Sequence, residues 1–398
     1  MRSVPINPAA GPQTRKRLLL PLFWLGLTAV APCCPFCGPV AEPLASRRAR
    51  CLTFGVGETL APATPDEAGR RQQPFRLLAT AVGDQLRPVT ENREPLIATV
   101  TAAFSGTAVL FETRPADWQA VAADELLIGY CLTAAPPVTD PQQAADRLRW
   151  FAHRLEHPNA AIAADAYAEY ALAPFAVVRE ATTALDAEQL ASWLTDPAIN
   201  PQRRGFYGLA AGLVARQRQG SEASCCRQAL HQALAAPRGS DFQAGTDGLL
   251  AGLLIADGAE AINNTALGLF AETASPVDQR HLLNALRFAW EEPADTMPRH
   301  QTVATTRRLL ALPHLAREAI IDLARYQDWE ALPAIVPLWD ELGQDDPLIR
   351  PAVAGYLVAC PQPAARQALE QLRRRDADAV AAAIAASRFP LPAATDSR

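Results

Sequence analysis

The chain has 398 residues, of which 49% are hydrophobic and 20% are charged, and its formal net charge is -5 at pH 7. A chain of this length can bury the cores of two or three domains. The net negative charge argues against the basic surface that nucleic-acid-binding proteins use, so we expect no nucleic-acid partner. The sequence also lacks the GxGxxG, GxxxxGK(S/T), HExxH and GxSxG motifs of nucleotide sites, zinc proteases and serine hydrolases.

The first apolar segment has the form of an export signal. Residues 1–17 end in the basic cluster Arg15-Lys16-Arg17, and residues 18–31 carry no charge. A basic region before an apolar core of this length is typical of a secretory signal, and its orientation fits the positive-inside rule. If the signal stays uncut, the apolar run over 18–36 has about 19 residues, just enough to span a membrane. We therefore expect an exported protein, located in the periplasm or cell envelope or anchored in the membrane.

A CxxC pair follows the signal core and ends the N-terminal segment, which comprises residues 1–37. Cys34 and Cys37 enclose Pro-Phe, and the CPFC form resembles a glutaredoxin active site. Such a pair normally follows a strand and opens a helix, whereas here it follows the signal core. Because an exported protein meets an oxidising compartment, disulfide formation is the preferred interpretation, with Cys51 and Cys131 as the natural partners. A thiol–disulfide oxidoreductase using Cys34 and Cys37 is the alternative.

Two segments of different composition come next. Residues 38–74 are rich in Pro, Ala, Arg, Gln and Gly with little periodicity, which predicts a largely irregular linker with at most one short strand at Cys51–Val56. In residues 75–137, short apolar runs such as FRLLATAV, TAVLFET and ELLIGYCLTA lie near turn-forming stretches. This pattern predicts a small β-rich domain, either a partial barrel or a sandwich.

Residues 138–390 are predicted to be helical throughout. Asp140-Pro141, Asn200-Pro201, Ser275-Pro276 and Asp346-Pro347 each place an N-cap residue before a proline suited to the first helical turn. Between these starts, apolar residues recur three and four positions apart, which is the helical period. Helix pairs recur at roughly 35–50 residues, the range of TPR, HEAT and armadillo units. The expected fold class is mainly α, a HEAT-like α-solenoid of antiparallel helix pairs.

One stretch, DWEALPAIVPLWDELGQDDPLIRPAVAGYLVACP, carries prolines in a first helix, an acidic loop and then a second helix, an arrangement that resembles a HEAT repeat. With ADAYAEYALAPF, LASWLTDPAINPQRRGFYGLAAGL and AIIDLARYQDWE, it gives residues 147–380 a resemblance to exported bacterial HEAT-like proteins of unknown function, which carry CPFC after the signal. The resemblance implies a solenoid and export, and it brings no activity.

Charged residues of the helical region form a candidate structural ion-pair network. Asp165 and Glu169 lie four positions apart and share one helix face, where paired carboxylates can bind a cation or exchange protons. Because no nucleophile or metal-ligand set accompanies them, bracing between repeats is the preferred interpretation. The candidate network consists of Asp165, Arg203, Arg204, Asp247, Arg287, Asp322, Arg325 and Arg350. We expect no catalytic residue, no metal and no cofactor.

The sequence therefore favours a non-enzymatic interaction scaffold of the cell envelope. A protein or another envelope component would bind on the solenoid surface, since solenoids present extended concave faces. Membrane association is expected through residues 18–36 if the signal is not cleaved. The alternative remains the envelope thiol–disulfide oxidoreductase.

Overall fold

The computed structural model describes residues 40–90, 94–236, 244–271, 273–292 and 298–387. Over these residues the chain is mainly helical, with a small β region on the N-terminal side. The predicted signal, Cys34 and Cys37 lie outside the described residues. Among the described helices, none is both long enough and apolar enough to cross a bilayer.

The β region is a five-stranded barrel with two short additional strands. The strands are β1 (Thr53–Thr59), β2 (Thr64–Pro65), β3 (Arg71–Val82), β4 (Gln85–Pro88), β5 (Leu96–Val100), β6 (Thr107–Arg114) and β7 (Asp117–Ala122). β1 pairs with β6, β6 with β7, β7 with β5, β5 with β3, and β3 with β1, so the ring closes. β5 and β7 run parallel and the other ring pairs run antiparallel. This is the Greek-key order of OB-type barrels.

The barrel strands bury both of their faces where they meet the helices. Along β6, Ala108 and Leu110 point into the barrel core, while Val109 and Phe111 pack with the helical core. All four side chains are fully buried, which explains why this strand has a continuous apolar run rather than an alternating one. Side chains of the barrel core are Phe75, Ala98, Val100, Ala108, Leu110 and Ala120.

Two glycines of β1 make room for this small barrel core. A Cβ on Gly55 would lie 2.7 Å from Cδ1 of Leu77, and a Cβ on Gly57 would lie 2.6 Å from Cδ1 of Leu110. Both distances are far inside ordinary contact, so the neighbouring leucines occupy the space that side chains at these positions would need.

Two helices accompany the barrel. Helix α1 (Leu44–Arg50) packs against β6 and against α2 (Glu125–Thr133), and α2 shares its apolar core with Phe54 and Phe111 of the barrel. The helices that follow are α3 (Pro141–Ala152), α4 (Ala160–Leu172), α5 (Phe175–Ala181), α6 (Ala187–Thr195), α7 (Pro201–Gln217), α8 (Gly220–Ala235), α9 (Thr246–Asp257), α10 (Pro276–Glu291), α11 (Arg299–Arg308), α12 (Pro313–Arg325), α13 (Leu332–Ile335), α14 (Leu338–Glu341), α15 (Ile349–Ala359), α16 (Pro363–Arg375) and α17 (Ala377–Ala386).

Several helices begin where the predicted caps lie. Asp140 accepts a hydrogen bond from Gln143 N at 2.9 Å and precedes α3, and Asn200 accepts one from Gln202 N at 3.0 Å and precedes α7. These side chains satisfy donors that the first turn leaves without an intrahelical acceptor. Asp346 instead accepts from Leu348 N at 2.8 Å in a turn, and α15 begins only at Ile349.

Helices α7 and α9 touch along a glycine seam, formed by Gly205, Gly208, Gly212, Gly248 and Gly252. A Cβ on Gly252 would lie 2.0 Å from the carbonyl oxygen of Gly208, and a Cβ on Gly248 would lie 2.1 Å from that of Gly205. The two backbones are therefore in direct contact. Both helices are buried on nearly all sides, as expected for helices that lack a polar face.

The structure differs from the sequence interpretation in three places. The segment predicted as a largely irregular linker over 38–74 carries α1, its one expected short strand at Cys51–Val56 is the longer β1, and β3 begins within it at Arg71. The apolar run ELLIGYCLTA, counted with the β-rich domain, forms α2, whose N-cap Asp124 accepts from Leu127 N at 2.8 Å. The helix expected from Trp329 is divided into α13 and α14, because proline cannot supply the hydrogen bond of a helix interior.

Candidate functional site

Asp165, in the middle of α4, ties three helices together. Its Oδ1 accepts a hydrogen bond from Leu44 N at 2.6 Å, and its Oδ2 accepts one from the Tyr130 hydroxyl at 2.6 Å. Leu44 N is the first amide of α1 and has no acceptor within its own helix. A buried carboxylate from α4 thus holds α1 and α2, the two helices that flank the barrel.

Glu169 lies one turn further along α4 and holds α3. Arg147 donates to both of its carboxylate oxygens, at 2.7 Å from Nη1 and 2.5 Å from Nη2. The same guanidinium donates through Nε to the carbonyl oxygen of Ala135 at 2.9 Å. This bidentate geometry is the strong form of an arginine–carboxylate pair. The two predicted carboxylates therefore have different structural partners.

Burial raises the pKa of both Asp165 and Glu169 above their ordinary values, although their hydrogen bonds and the nearby arginines act in the opposite direction. In the folded chain the two groups hold their protons to higher pH than in the unfolded chain. Between the ordinary and the raised pKa the folded state binds more protons. The contribution of these groups to stability is therefore complete at low pH and falls as the pH rises through that window.

A cavity of about 360 Å³ opens beside Asp165, where α1, the barrel, α4 and the start of α7 meet. We call it the junction pocket. Its charged lining residues are Glu42, Arg47, Asp165 and Arg203. Its apolar lining includes Val40, Leu44, Val121, Ala161, Ala164 and Ala168. The cavity volume falls at the lower end of the range found for small-molecule sites.

The two arginines of the junction pocket differ in how they are bound. Arg203 is buried and donates from Nη1 to the carbonyl oxygen of Leu155 at 3.0 Å and to Oε1 of Glu156 at 2.8 Å. Arg47 makes no such bond, since its buried Nε has no hydrogen-bond partner among the described residues. Burial lowers the pKa of Arg47, while the charge of Asp165 acts to raise it. A buried polar atom without a partner is rare enough in folded proteins to need an explanation.

The other residues of the candidate network form separate contacts. Asp322 is almost fully buried and accepts from Arg287 Nε at 2.6 Å and from Arg325 Nη1 at 3.4 Å. Oδ2 of Asp247 lies 3.7 Å from Nδ1 of His281. Arg350 lies over the ring of Trp339, with 5.6 Å between its Cζ and the ring centroid. Arg204 makes no ion pair with any residue that the structure describes.

Of the four cysteines singled out, Cys51 and Cys131 are free thiols, so no disulfide joins them. Burial raises the pKa of Cys51, and burial together with the charge of Asp165 raises the pKa of Cys131 to about 12. Both thiols are therefore protonated at neutral pH and are poor nucleophiles. Within the described ranges, no group of three or more His, Cys, Asp or Glu side chains is placed to hold a metal ion.

The barrel carries a second candidate surface, where β3 and β5 lie next to each other. Two adjacent hollows, of about 620 and 250 Å³, share Arg70 and Thr99 in their linings. Arg71 lines the larger hollow, and Gln72 and Trp118 line the smaller one. We call this the barrel hollow. It combines an aromatic ring with two guanidinium groups and an amide, and the Gln72 amide donates to Asp66 Oδ2 at 3.3 Å and to Thr99 Oγ1 at 3.1 Å.

The structure adds residues that the sequence interpretation did not select. Tyr130 and Arg147 are the partners of the two buried carboxylates, and Arg47 is the open cation of the junction pocket. Nothing local in the sequence marks these three, because the partners of Tyr130 and Arg147, and the pocket that Arg47 lines, depend on residues far along the chain. Comparison with protein-family models, with characterised proteins and with solved structures finds no match to this chain.

Proposed function

We propose that this chain is a non-enzymatic interaction scaffold of the cell envelope, in which a HEAT-like helical array presents a surface to a protein partner. The supporting observation is the order in which the helices pack. α6 packs on α8, α7 on α9, α10 on α12 and α15 on α17. Contact between a helix and the next but one, as in these four pairs, is expected of stacked helix pairs, which produce extended binding surfaces.

The charged residues agree with such a role. Asp165, Glu169 and Asp322 each use their carboxylate oxygens to hold neighbouring helices. A carboxylate that is committed to structural donors is a poor general base, because proton transfer requires it to reach a substrate. These groups would therefore fix the shape of the surface rather than act on a ligand.

Site-specific photo-crosslinking in cells tests this proposal. A photoreactive phenylalanine analogue would replace, one at a time, the large apolar side chains exposed in the helical region, which are Leu126, Leu172, Leu348 and Val358. Arg76, an exposed residue of the barrel, serves as the control position. The scaffold role predicts a discrete adduct with one identified protein at one or more helical positions and none at Arg76.

A glutamate substitution at the reactive position should then abolish binding of that protein to the purified chain. The circular dichroism spectrum of this variant should stay helical, and the adduct supports the proposal only if both results are obtained. Absence of an adduct at all four helical positions would refute it. The double variant Cys34→Ser/Cys37→Ser should behave like the wild type. Loss of a disulfide-reductase activity in that variant would instead establish the oxidoreductase alternative.

The barrel hollow favours a second candidate function, binding of an envelope oligosaccharide. OB-type barrels bind oligonucleotides and oligosaccharides on the face of their second and third strands, and here those strands are β3 and β5. The analogy is one of fold, and the side chains add to it, since Trp118 offers a ring and Gln72 an amide. Titration with a chito-oligosaccharide tests it. Gln72→Ala should weaken a saturable response, and a wild-type chain that gives no response would dismiss the candidate.

A further inference from the structure

The junction pocket contains one cation, Arg47, that no described residue neutralises by direct contact. Arg203 is paired with Glu156, and Glu42 is paired with Arg50. Asp165 is held by Leu44 N and by Tyr130. This leaves Arg47, whose buried Nε has no partner among the described residues.

From this arrangement we propose that the junction pocket binds a small monocarboxylate with a short aliphatic body, whose carboxylate pairs with Arg47. A guanidinium presents parallel N–H donors that match the two oxygens of a carboxylate. Binding would place a negative charge beside a half-buried guanidinium that makes no direct ion pair with any described residue, and it would offset part of the cost of burying that cation.

The charges around the pocket favour a single negative charge on the ligand. Asp165 and Glu42 also line the cavity, and both would repel a doubly charged phosphate more strongly than a carboxylate. Since Arg203 is already paired, Arg47 is the cation that remains among the described lining residues to balance the ligand. The pocket therefore matches a monoanion rather than a phosphate ester.

The walls of the pocket favour an aliphatic body on that ligand. One face of α4 lines the pocket with three alanines, Ala161, Ala164 and Ala168. Leu44 and Val121 also line it. The small side chains leave the space open, and the apolar walls gain from the removal of hydrocarbon from water. A chain of about six carbons suits a cavity at the small end of the ligand-site range.

The test is calorimetric titration of the purified full-length chain with hexanoate. Hexanol, hexylamine and inorganic phosphate are the comparison probes, because the first two share the aliphatic body without the carboxylate. We expect saturable binding of hexanoate at one site, with no binding of the other three. Arg47→Gln should weaken hexanoate binding at least about tenfold, the effect of losing a charged hydrogen-bonded pair. Arg76→Gln, which removes an exposed arginine of the barrel, should leave it unchanged.

A second variant tests the cavity itself. Ala164 is exposed toward the pocket, so Ala164→Leu should fill the space and block hexanoate without disturbing the core. Ala381→Leu, at an exposed position of α17, is the matched control. If Arg47→Gln does not fold, Ala164→Leu still decides the question. The thermal unfolding midpoint of each variant shows whether it is folded.

Four results would overturn the inference. They are equal hexanoate affinity in the wild type and Arg47→Gln, equal affinity for hexanoate and hexanol, tighter binding of phosphate than of hexanoate, and no hexanoate response at about 10 mM, which is well above a millimolar dissociation constant. The inference goes beyond the scaffold role. Arg47→Gln should leave the protein adducts on the helical surface intact, so failure of one proposal does not imply failure of the other.

Discussion

The glycine seam between α7 and α9 allows a direct test of the packing. Alanine is a better helix former than glycine by about 1 kcal/mol, so Gly252→Ala would stabilise α9 if the helix stood alone. In the folded chain its Cβ would lie 2.0 Å from the carbonyl oxygen of Gly208, while ordinary contact begins at 3.4 Å. The shortfall of roughly 1.4 Å is against backbone, which cannot rotate away as a side chain can.

The helices would have to separate, and the leucines packed along both of them would lose contact. Overpacking of this kind costs about 1–3 kcal/mol and at times more, and the loss of contact along the seam adds to it. We expect Gly252→Ala to lower the free energy of unfolding by at least about 3 kcal/mol, despite the better helix propensity. Urea unfolding followed by far-ultraviolet circular dichroism measures the change.

Gly129 provides the matched control for this experiment. It is also a helical glycine, in α2, but a Cβ there meets no atom within 4 Å. Gly129→Ala should therefore be neutral or stabilise the chain by up to about 1 kcal/mol. If Gly252→Ala and Gly129→Ala changed stability by similar amounts, the close approach of α7 and α9 would be refuted.

Other contacts give further predictions. Arg147→Ala should destabilise the chain by about 3–5 kcal/mol in urea unfolding, because it leaves Glu169 buried without a counter-charge; a loss below about 1 kcal/mol would contradict the bidentate pair. The stability advantage of the wild type over Asp165→Asn should shrink as the pH rises from about 4 to 7, since folding raises the pKa of this carboxyl; an advantage that grows would reverse the assigned shift. In the native chain, iodoacetamide should modify Cys51 before Cys131, which is fully buried; mass spectrometry of timed samples shows the order, and equal rates would contradict the burial.

Much of the helical region could be predicted from the sequence because helix starts are local. Asp140 and Asn200 each precede a proline, and α3 and α7 begin at those prolines. The side chain, the amide that it caps and the proline all lie within four residues, so no tertiary information is needed. The segment after Trp329 is the exception, because the sequence interpretation places Pro333 and Pro337 inside one helix. In the structure, Pro333 lies in the first turn of α13 and Pro337 is the N-cap of α14.

The start of the barrel could be predicted only in part. The sequence predicts at most a short strand at Cys51–Val56 in an otherwise irregular segment, whereas β1 runs over Thr53–Thr59 and closes the barrel. Glycine weakens a strand that stands alone, so Gly55 and Gly57 give no local indication that the strand continues. In the structure, Gly55 lies against Leu77 and Gly57 lies against Leu110. Because the glycines have no side chain, the two leucines can occupy this space. The run that forms α2 also lacks a local helical signal, because a helix that packs against both α1 and α4 shows little helical period.

The junction pocket illustrates a further limit of sequence interpretation. Arg47 and Arg48 are adjacent in α1 and are chemically identical. Arg48 donates to the carbonyl oxygens of Cys131 and Gly83 and so joins α1 to α2 and to the barrel. Arg47 is displaced by about 100° around the helix and reaches the junction pocket instead, where its Nε has no acceptor among the described residues. The position of α1 decides which arginine is structural and which is open to a ligand. Asp165 fixes that position, and it lies more than a hundred residues away in the sequence.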